Sequence, residues 1–221
     1  MLINPAVRSV SPALRWHAEN DAWVVLGFDT VEGRAADFSP GSPALLAVVG
    51  LVNRIGELDL PEVAREWPET RWERFTKDES QAALLQGDDL PYTDINPNNM
   101  MIGKHTAWAV DWSWPTHGAG FIDPACLVVQ LIAAGHSPES AESRVSVCAA
   151  DVEGFTEVLR LRTALLRGGF LDQGQVRFSH HDGHLLQSRM SMVSPPYVQW
   201  SPHASGTGRW PLPRGARGCR R

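Results

Sequence analysis

The stretch "LPYTDINPNNMMIGKHTAWAVDWSWPTHGAGFIDP", residues Leu90–Pro124, decides how the rest of the chain is read. It holds two short apolar runs, "MMIG" (Met100–Gly103) and "AWAVDW" (Ala107–Trp112), with a turn between them. Asp94 and Asn99 lie on the approach to the first run, and Asp111 lies at the exit of the second. A strand–turn–strand unit brings its two outer ends together, so these three oxygen-bearing side chains converge. Such a set suits Mg²⁺, a hard cation that shares its shell with carboxylates, amides and phosphates. Phosphoryl transfer needs a carboxylate to orient or deprotonate the attacking hydroxyl, and metal to neutralise phosphate charge. Taken singly, each residue is ordinary turn chemistry beside a strand. Their order and spacing favour a site.

Working outward, "ALRWHAE" (Ala13–Glu19) and "AWVVLGFD" (Ala22–Asp29) alternate as strands, and the Asn-Asp turn between them predicts a hairpin. "SPGSP" (Ser39–Pro43) predicts a helix start, with Ser42 as cap and Pro43 in the first turn. The apolar spacing of "ALLAVVGLVNRIGEL" continues that helix, against the cost of Gly50. A second helical stretch is expected from Pro61 to Leu85, interrupted at Pro68. After the quoted stretch, Asp123 and Pro124 open a helix through "PACLVVQLIAAG", with Asp123 as its cap. Gly135 ends it, Ser137 and Pro138 start another, and Val152–Arg167 reads as one more amphipathic helix. Cys126 falls on the apolar side as a small core residue, and Trp112 and Trp114 are expected to pack more than to line a cleft.

The 221 residues suffice for one good core or two modest lobes. A net charge of −5 argues against a general nucleic-acid binder. The three cysteines, Cys126, Cys148 and Cys219, form neither a CxxC pair nor a disulfide framework. No apolar run approaches a membrane span, and the opening residues lack a signal-peptide core, so a cytoplasmic protein with no membrane partner is expected. Nothing here sets the oligomeric state.

Beyond Gly168 the composition shifts. Residues 168–221 hold seven Arg, no Lys and only Asp172 and Asp182, which gives +5 and leaves −10 for residues 1–167. Pro, Gly and Ser are abundant and periodicity is lost, so this segment is expected to be a low-complexity, disordered tail. Its "SHHDGH" (Ser179–His184) has transition-metal ligand types, although a solvated loop accounts for them as well.

"YTDINPNNMMI…AWAVDW" resembles the catalytic and metal-binding segment of the aminoglycoside phosphotransferase family, which has a protein-kinase-like fold. That segment reads H-G-D-x-x-x-x-N, then a strand, a turn and I-D-W or I-D-F. The resemblance implies Asp94 as the catalytic Asp and Asn99 and Asp111 as Mg²⁺ ligands. "FIDPACL" is similar to the family's D-P-A segment, mainly structural, at the start of a C-lobe helix. "WVVLGFDTVEGRAADF" is similar to the last N-lobe strand and hinge, which implies adenine contacts around Gly27, Phe28 and Asp29. The likeness runs through about residues 10–165. Tyr92 stands where the family usually has His, and Thr93 where it has Gly.

The fold implied is α+β and protein-kinase-like: a remnant N-lobe hairpin and hinge (1–30), a mostly helical C-lobe with a short catalytic β-hairpin (31–167), and the tail (168–221). The implied activity is Mg-ATP-dependent phosphoryl transfer to a hydroxyl of a small molecule. The family's phosphate-covering loop and ATP-contacting Lys have no counterpart, since Lys77 and Lys104 are the only lysines and both fall elsewhere. The expectation of a kinase therefore includes an incomplete chain, and the alternative expectation is a catalytically inactive pseudokinase-like fragment that acts as a binding module or has no function.

Overall fold

The computed structural model describes residues 2–20, 23–73, 76, 78–146, and two short strands at 171–172 and 175–176. The expected helix at Val152–Arg167 and the "SHHDGH" stretch lie outside the described residues.

The chain combines helices with small antiparallel sheets. A one-turn helix, α1 (Asn4–Val7), leads into a hairpin of β1 (Leu14–Glu19) and β2 (Val24–Phe28). Asn4 joins the two, because its amide donates to Pro12 O at 2.8 Å and accepts from Leu14 N at 2.9 Å. The hairpin carries Trp16 opposite Gly27, where a side chain on residue 27 would run into the indole. Asp29, just past β2, forms a two-pronged ion pair with Arg15.

A short β3 (Arg34–Ala35), not foreseen from the sequence, pairs with β4 (Met100–Ile102), which pairs with β5 (Ala107–Ala109). Gly103 N donates to Thr106 O at 2.9 Å and closes the expected turn between β4 and β5. The N-terminal segment covers the far edge of β5, since Ala109 N donates to Val10 O at 2.7 Å.

Helix α2 (Leu45–Gly56) buries Val48, Leu51, Val52 and Ile55, one face at helical spacing. Gly50 is tolerated because helical packing outweighs a propensity cost of about 1 kcal/mol. The helix begins later than "SPGSP" suggests: Ala44 is the cap, and Ser42 Oγ accepts from Ala44 N in the preceding turn. Arg54, in its last turn, donates to Ser9 O, Ala107 O and Thr106 Oγ1, tying helix, sheet and N-terminal segment together.

Residues 61–85 are mostly not helical. They form α3 (Glu62–Arg65) and α4 (Glu79–Ala83), joined by an irregular run whose residues 67–69 bond to His117. Pro68 breaks the helix, and the freed backbone pairs with the segment leading out of the site. Helix α5 (Ile122–Ala133) is buried nearly all round, with Leu127 and Leu131 at its centre and Cys126 in the core as expected. Burial of one such leucine contributes about 2 kcal/mol. Gly135, at φ +102, ends α5, and Ser137 caps α6 (Pro138–Val145) by accepting from Ser140 N. Leu171–Asp172 and Gln175–Val176, β6 and β7, form an antiparallel pair within the segment read as a tail. Among the described residues no helix is long and apolar enough to cross a membrane.

Candidate functional site

Between α4 and β4 the chain forms no regular element, and its polar groups are satisfied by side chains. Asp94 Oδ2 accepts from Asn99 Nδ2 at 2.7 Å, and Oδ1 accepts from Asn96 Nδ2 at 3.0 Å. Asn96 Oδ1 in turn accepts from the N–H groups of Asn98 and Asn99. This "DINPNN" loop is thus a set of Asx turns folded around one carboxylate. Asn99 is buried, and its carbonyl accepts from Val110 N at 2.9 Å, which places the exit of β5 against the loop. Asp111 follows at once, exposed, with Ser113 Oγ on its Oδ1 at 2.7 Å.

Among the described residues two non-glycine residues have positive φ: Thr93 at 64° and Asp111 at 62°. They flank the site, one just before Asp94 and one at the second carboxylate. The left-handed region costs an L-residue about 1 kcal/mol or more, least for Asp and most for a β-branched side chain. At Thr93 the conformation is one that a glycine would adopt without strain.

Several groups hold Thr93 there. Both oxygens of Asp123 accept backbone N–H groups, Oδ2 from Tyr92 at 2.8 Å and Oδ1 from Thr93 at 2.7 Å. The Thr93 hydroxyl donates to Tyr92 O and accepts from Arg71 Nη2. Asp123 is therefore not the cap of α5; Phe121 takes that position without a side-chain bond. The Tyr92 hydroxyl donates to Val110 O, and its ring lies 4.8 Å from that of Trp112 at a tilt of 59°. Tyr92 thereby ties the loop to the end of β5. The Trp112 indole N–H is buried without a partner among the described residues.

The charges act on one another. Partial burial raises the Asp94 carboxyl above its ordinary range, and the negative charge of Asp111 pushes the same way. Bonds from Asn96 and Asn99 and the charge of Arg71 pull it back. Full burial raises Asp123 to about 6 despite its two backbone donors. Burial also raises the Tyr92 phenol well above its usual value, with Asp94, Asp111 and Asp123 adding to it.

Asp94 and Asn99 are therefore in direct contact, and Asp111 follows Val110, whose N–H donates to the Asn99 carbonyl. Gly27, Phe28 and Asp29 lie on the separate two-stranded sheet, with hydrogen bonds to β1 and, for Asp29, to Ala13 and Arg15. Sequence reasoning missed Glu69, Arg71, Thr116 and the true role of Asp123. For Asp123 a signal was present: a carboxylate set in "GFIDPACL" is destined for burial and must find donors. Among the described residues no three His, Cys, Asp or Glu side chains are placed to hold a metal ion. The oxygen set of the site is two carboxylates and the Asn99 amide.

No protein-family model matches the chain, and no curated protein sequence matches it. Among solved structures, the chain is similar to a crystal structure of a spectinomycin phosphotransferase, APH(9)-Ia, in complex with ADP and spectinomycin. The TM-score is 0.44 and the identity 10%, over 84% of this chain and 74% of that one. A likeness at this level leaves the chain's function to be argued from its own residues.

Proposed function

We propose that the chain is a small-molecule kinase resembling the aminoglycoside phosphotransferases, transferring the γ-phosphoryl group of ATP to a substrate hydroxyl. The observation that carries this reading is the Asp94–Asn99 contact beside the strand exit that presents Asp111. Asp94 receives or orients the proton of the attacking hydroxyl, and burial beside Asp111 keeps its basicity above that of a solvated carboxylate. The Asn96 and Asn99 amides fix the direction in which its oxygens point.

The donor set fits Mg²⁺. This ion is commonly held by one or two protein oxygen groups together with substrate phosphates and water. Asn99 and Asp111 are the residues that would hold it, and when bound it neutralises charge on the phosphate oxygens. The φ of +62° at Asp111 turns this residue out of the extended strand conformation. The edge of β2 at Gly27 and Phe28, with Asp29 just past it, would offer backbone groups to the adenine of ATP, because among the described residues β2 pairs with β1 alone in its sheet.

The test is phosphate transfer from ATP to a panel of hydroxyl acceptors, comparing the unaltered chain with Asp94→Asn. The reading predicts transfer that the substitution lowers by about a hundredfold or more, the range of general-base catalysis. Transfer that is unaffected by Asp94→Asn contradicts it. Mg·ATP binding with no transfer to any acceptor supports the pseudokinase-like alternative.

A further inference from the structure

Asp111 sits between two residues that one side chain holds. The hydroxyl of Tyr92 donates to Val110 O, and the ring of Tyr92 lies 4.8 Å from that of Trp112 at a tilt of 59°. Val110 is fixed at its other end too, since its N–H donates to Asn99 O at 2.9 Å. Rotation about φ at Asp111 starts from the peptide that carries the Val110 carbonyl. The plane of that peptide therefore sets where the Asp111 side chain leaves the backbone. Asp111 takes the left-handed φ of +62°, and the bond to its carboxylate from Ser113 Oγ, at 2.7 Å, is local. A local bond turns with the residue and does not fix it against the loop. Tyr92 is a firm support: it is 3% exposed, and its N–H donates to Asp123 Oδ2 at 2.8 Å. A ring alone would fill its place in the core. A buried hydroxyl must also find an acceptor, and the acceptor here is the carbonyl one residue before Asp111.

We propose that Tyr92 is a positioning residue for Asp111. Its hydroxyl holds the peptide on one side of Asp111 and its ring packs on the residue at the other. The turn that presents the carboxylate is thereby set before any metal binds. The proposal rests on the reading of Asp111 as a Mg²⁺ ligand, and it gives Tyr92 no contact with metal or substrate. A ligand already in place binds without the cost of ordering it, and loss of the hydroxyl brings that cost back.

The experiment uses Tyr92→Phe in the full chain, which removes the hydroxyl and keeps the ring. Without metal, amide hydrogen exchange at Val110 is expected to quicken by about fivefold or more, as loss of a buried hydrogen bond implies. Calorimetric titration then compares Mg·ATP with ATP in EDTA. The variant is expected to bind Mg·ATP about fivefold or more weakly, and to bind ATP without metal as the unaltered chain does. Val110 exchange that overlays that of the unaltered chain overturns the proposal. Equal saturable binding of Mg·ATP by both chains overturns it too, as does an equal weakening for ATP with and without metal, the mark of a residue that only fills the core. If the unaltered chain takes up no Mg·ATP, the metal reading of Asp111 fails, and exchange at Val110 alone decides whether Tyr92 holds the turn. If Tyr92→Phe does not fold, fluorotyrosine in the unaltered chain replaces it. Tyr92 is one of two tyrosines, and Tyr197→Phe assigns its fluorine signal. That signal is expected to shift when Mg²⁺ is added to the ATP-bound chain, and a signal that stays in place overturns the proposal.

Discussion

Asp123 accepts the backbone N–H of Thr93 at 2.7 Å, across 30 residues of sequence. Its other oxygen takes Tyr92 N, so the first turn of α5 holds the two residues that precede Asp94. One buried carboxylate thereby links the main helix of the core to the loop of the site.

Replacement of Asp123 tests that link. Asparagine keeps the shape but turns an amide N–H toward one of the two backbone donors. Asp123→Asn is expected to destabilise the chain by about 2–3 kcal/mol, the cost of an unsatisfied buried donor with loss of a charged acceptor. Urea unfolding followed by tryptophan fluorescence measures it.

The same carboxyl sets a pH dependence. Its folded value is raised to about 6 from an ordinary 3.8, so the folded state binds this proton more readily than the unfolded chain. The contribution is fully present below about pH 4 and is lost as pH rises through 6, amounting to ~3 kcal/mol at most. The difference in unfolding free energy between the unaltered chain and Asp123→Asn, followed from pH 4 to 7, isolates this group. A difference that does not vary with pH contradicts the assignment.

Thr93 separates backbone strain from side-chain bonding. Thr93→Ala keeps the strained φ and loses the hydroxyl's bonds to Arg71 and Tyr92 O. Thr93→Gly loses the same bonds but removes the strain. The glycine variant is expected to be more stable than the alanine variant by about 1 kcal/mol, the cost of the left-handed region for an L-residue. Thermal unfolding of both variants under one condition gives the comparison.

The core offers a control remote from the chemistry. Leu127, at the centre of α5, has no exposed surface. Leu127→Ala is expected to cost about 2–5 kcal/mol through lost burial and the cavity left behind. Denaturant unfolding with an unchanged slope checks it.

Much of this organisation was legible in the residues. The N-terminal hairpin, α2, the β4–β5 unit and the Ser137 cap all follow from local periodicity and turn chemistry, which need no knowledge of distant contacts. The exit of β5 lies against the loop of Asp94 and Asn99 because a short hairpin joins its own ends. What was not legible depends on partners far along the chain. Residues 61–85 carry helical spacing, yet Pro68 frees backbone that pairs with His117. Asp123 reads as a cap because Asp-Pro commonly opens helices, and only the fold shows that its oxygens turn to residues 92 and 93. Glu69 and Arg71 look like surface charges in sequence, and the burial of Glu69 and the partial cover of Arg71 follow from Thr116 and Trp114 beside them. β3 has two residues, too few for any pattern.

The central claim is that Asn99 and Asp111 hold the metal of a nucleotide-dependent phosphoryl transfer site. Calorimetric titration with Mg·ATP, on the unaltered chain and on Asp111→Ala, tests it most directly. The account predicts saturable binding to the unaltered chain, weakened by about tenfold or more in the variant, as loss of a carboxylate ligand implies. Binding of equal strength to both chains would contradict it.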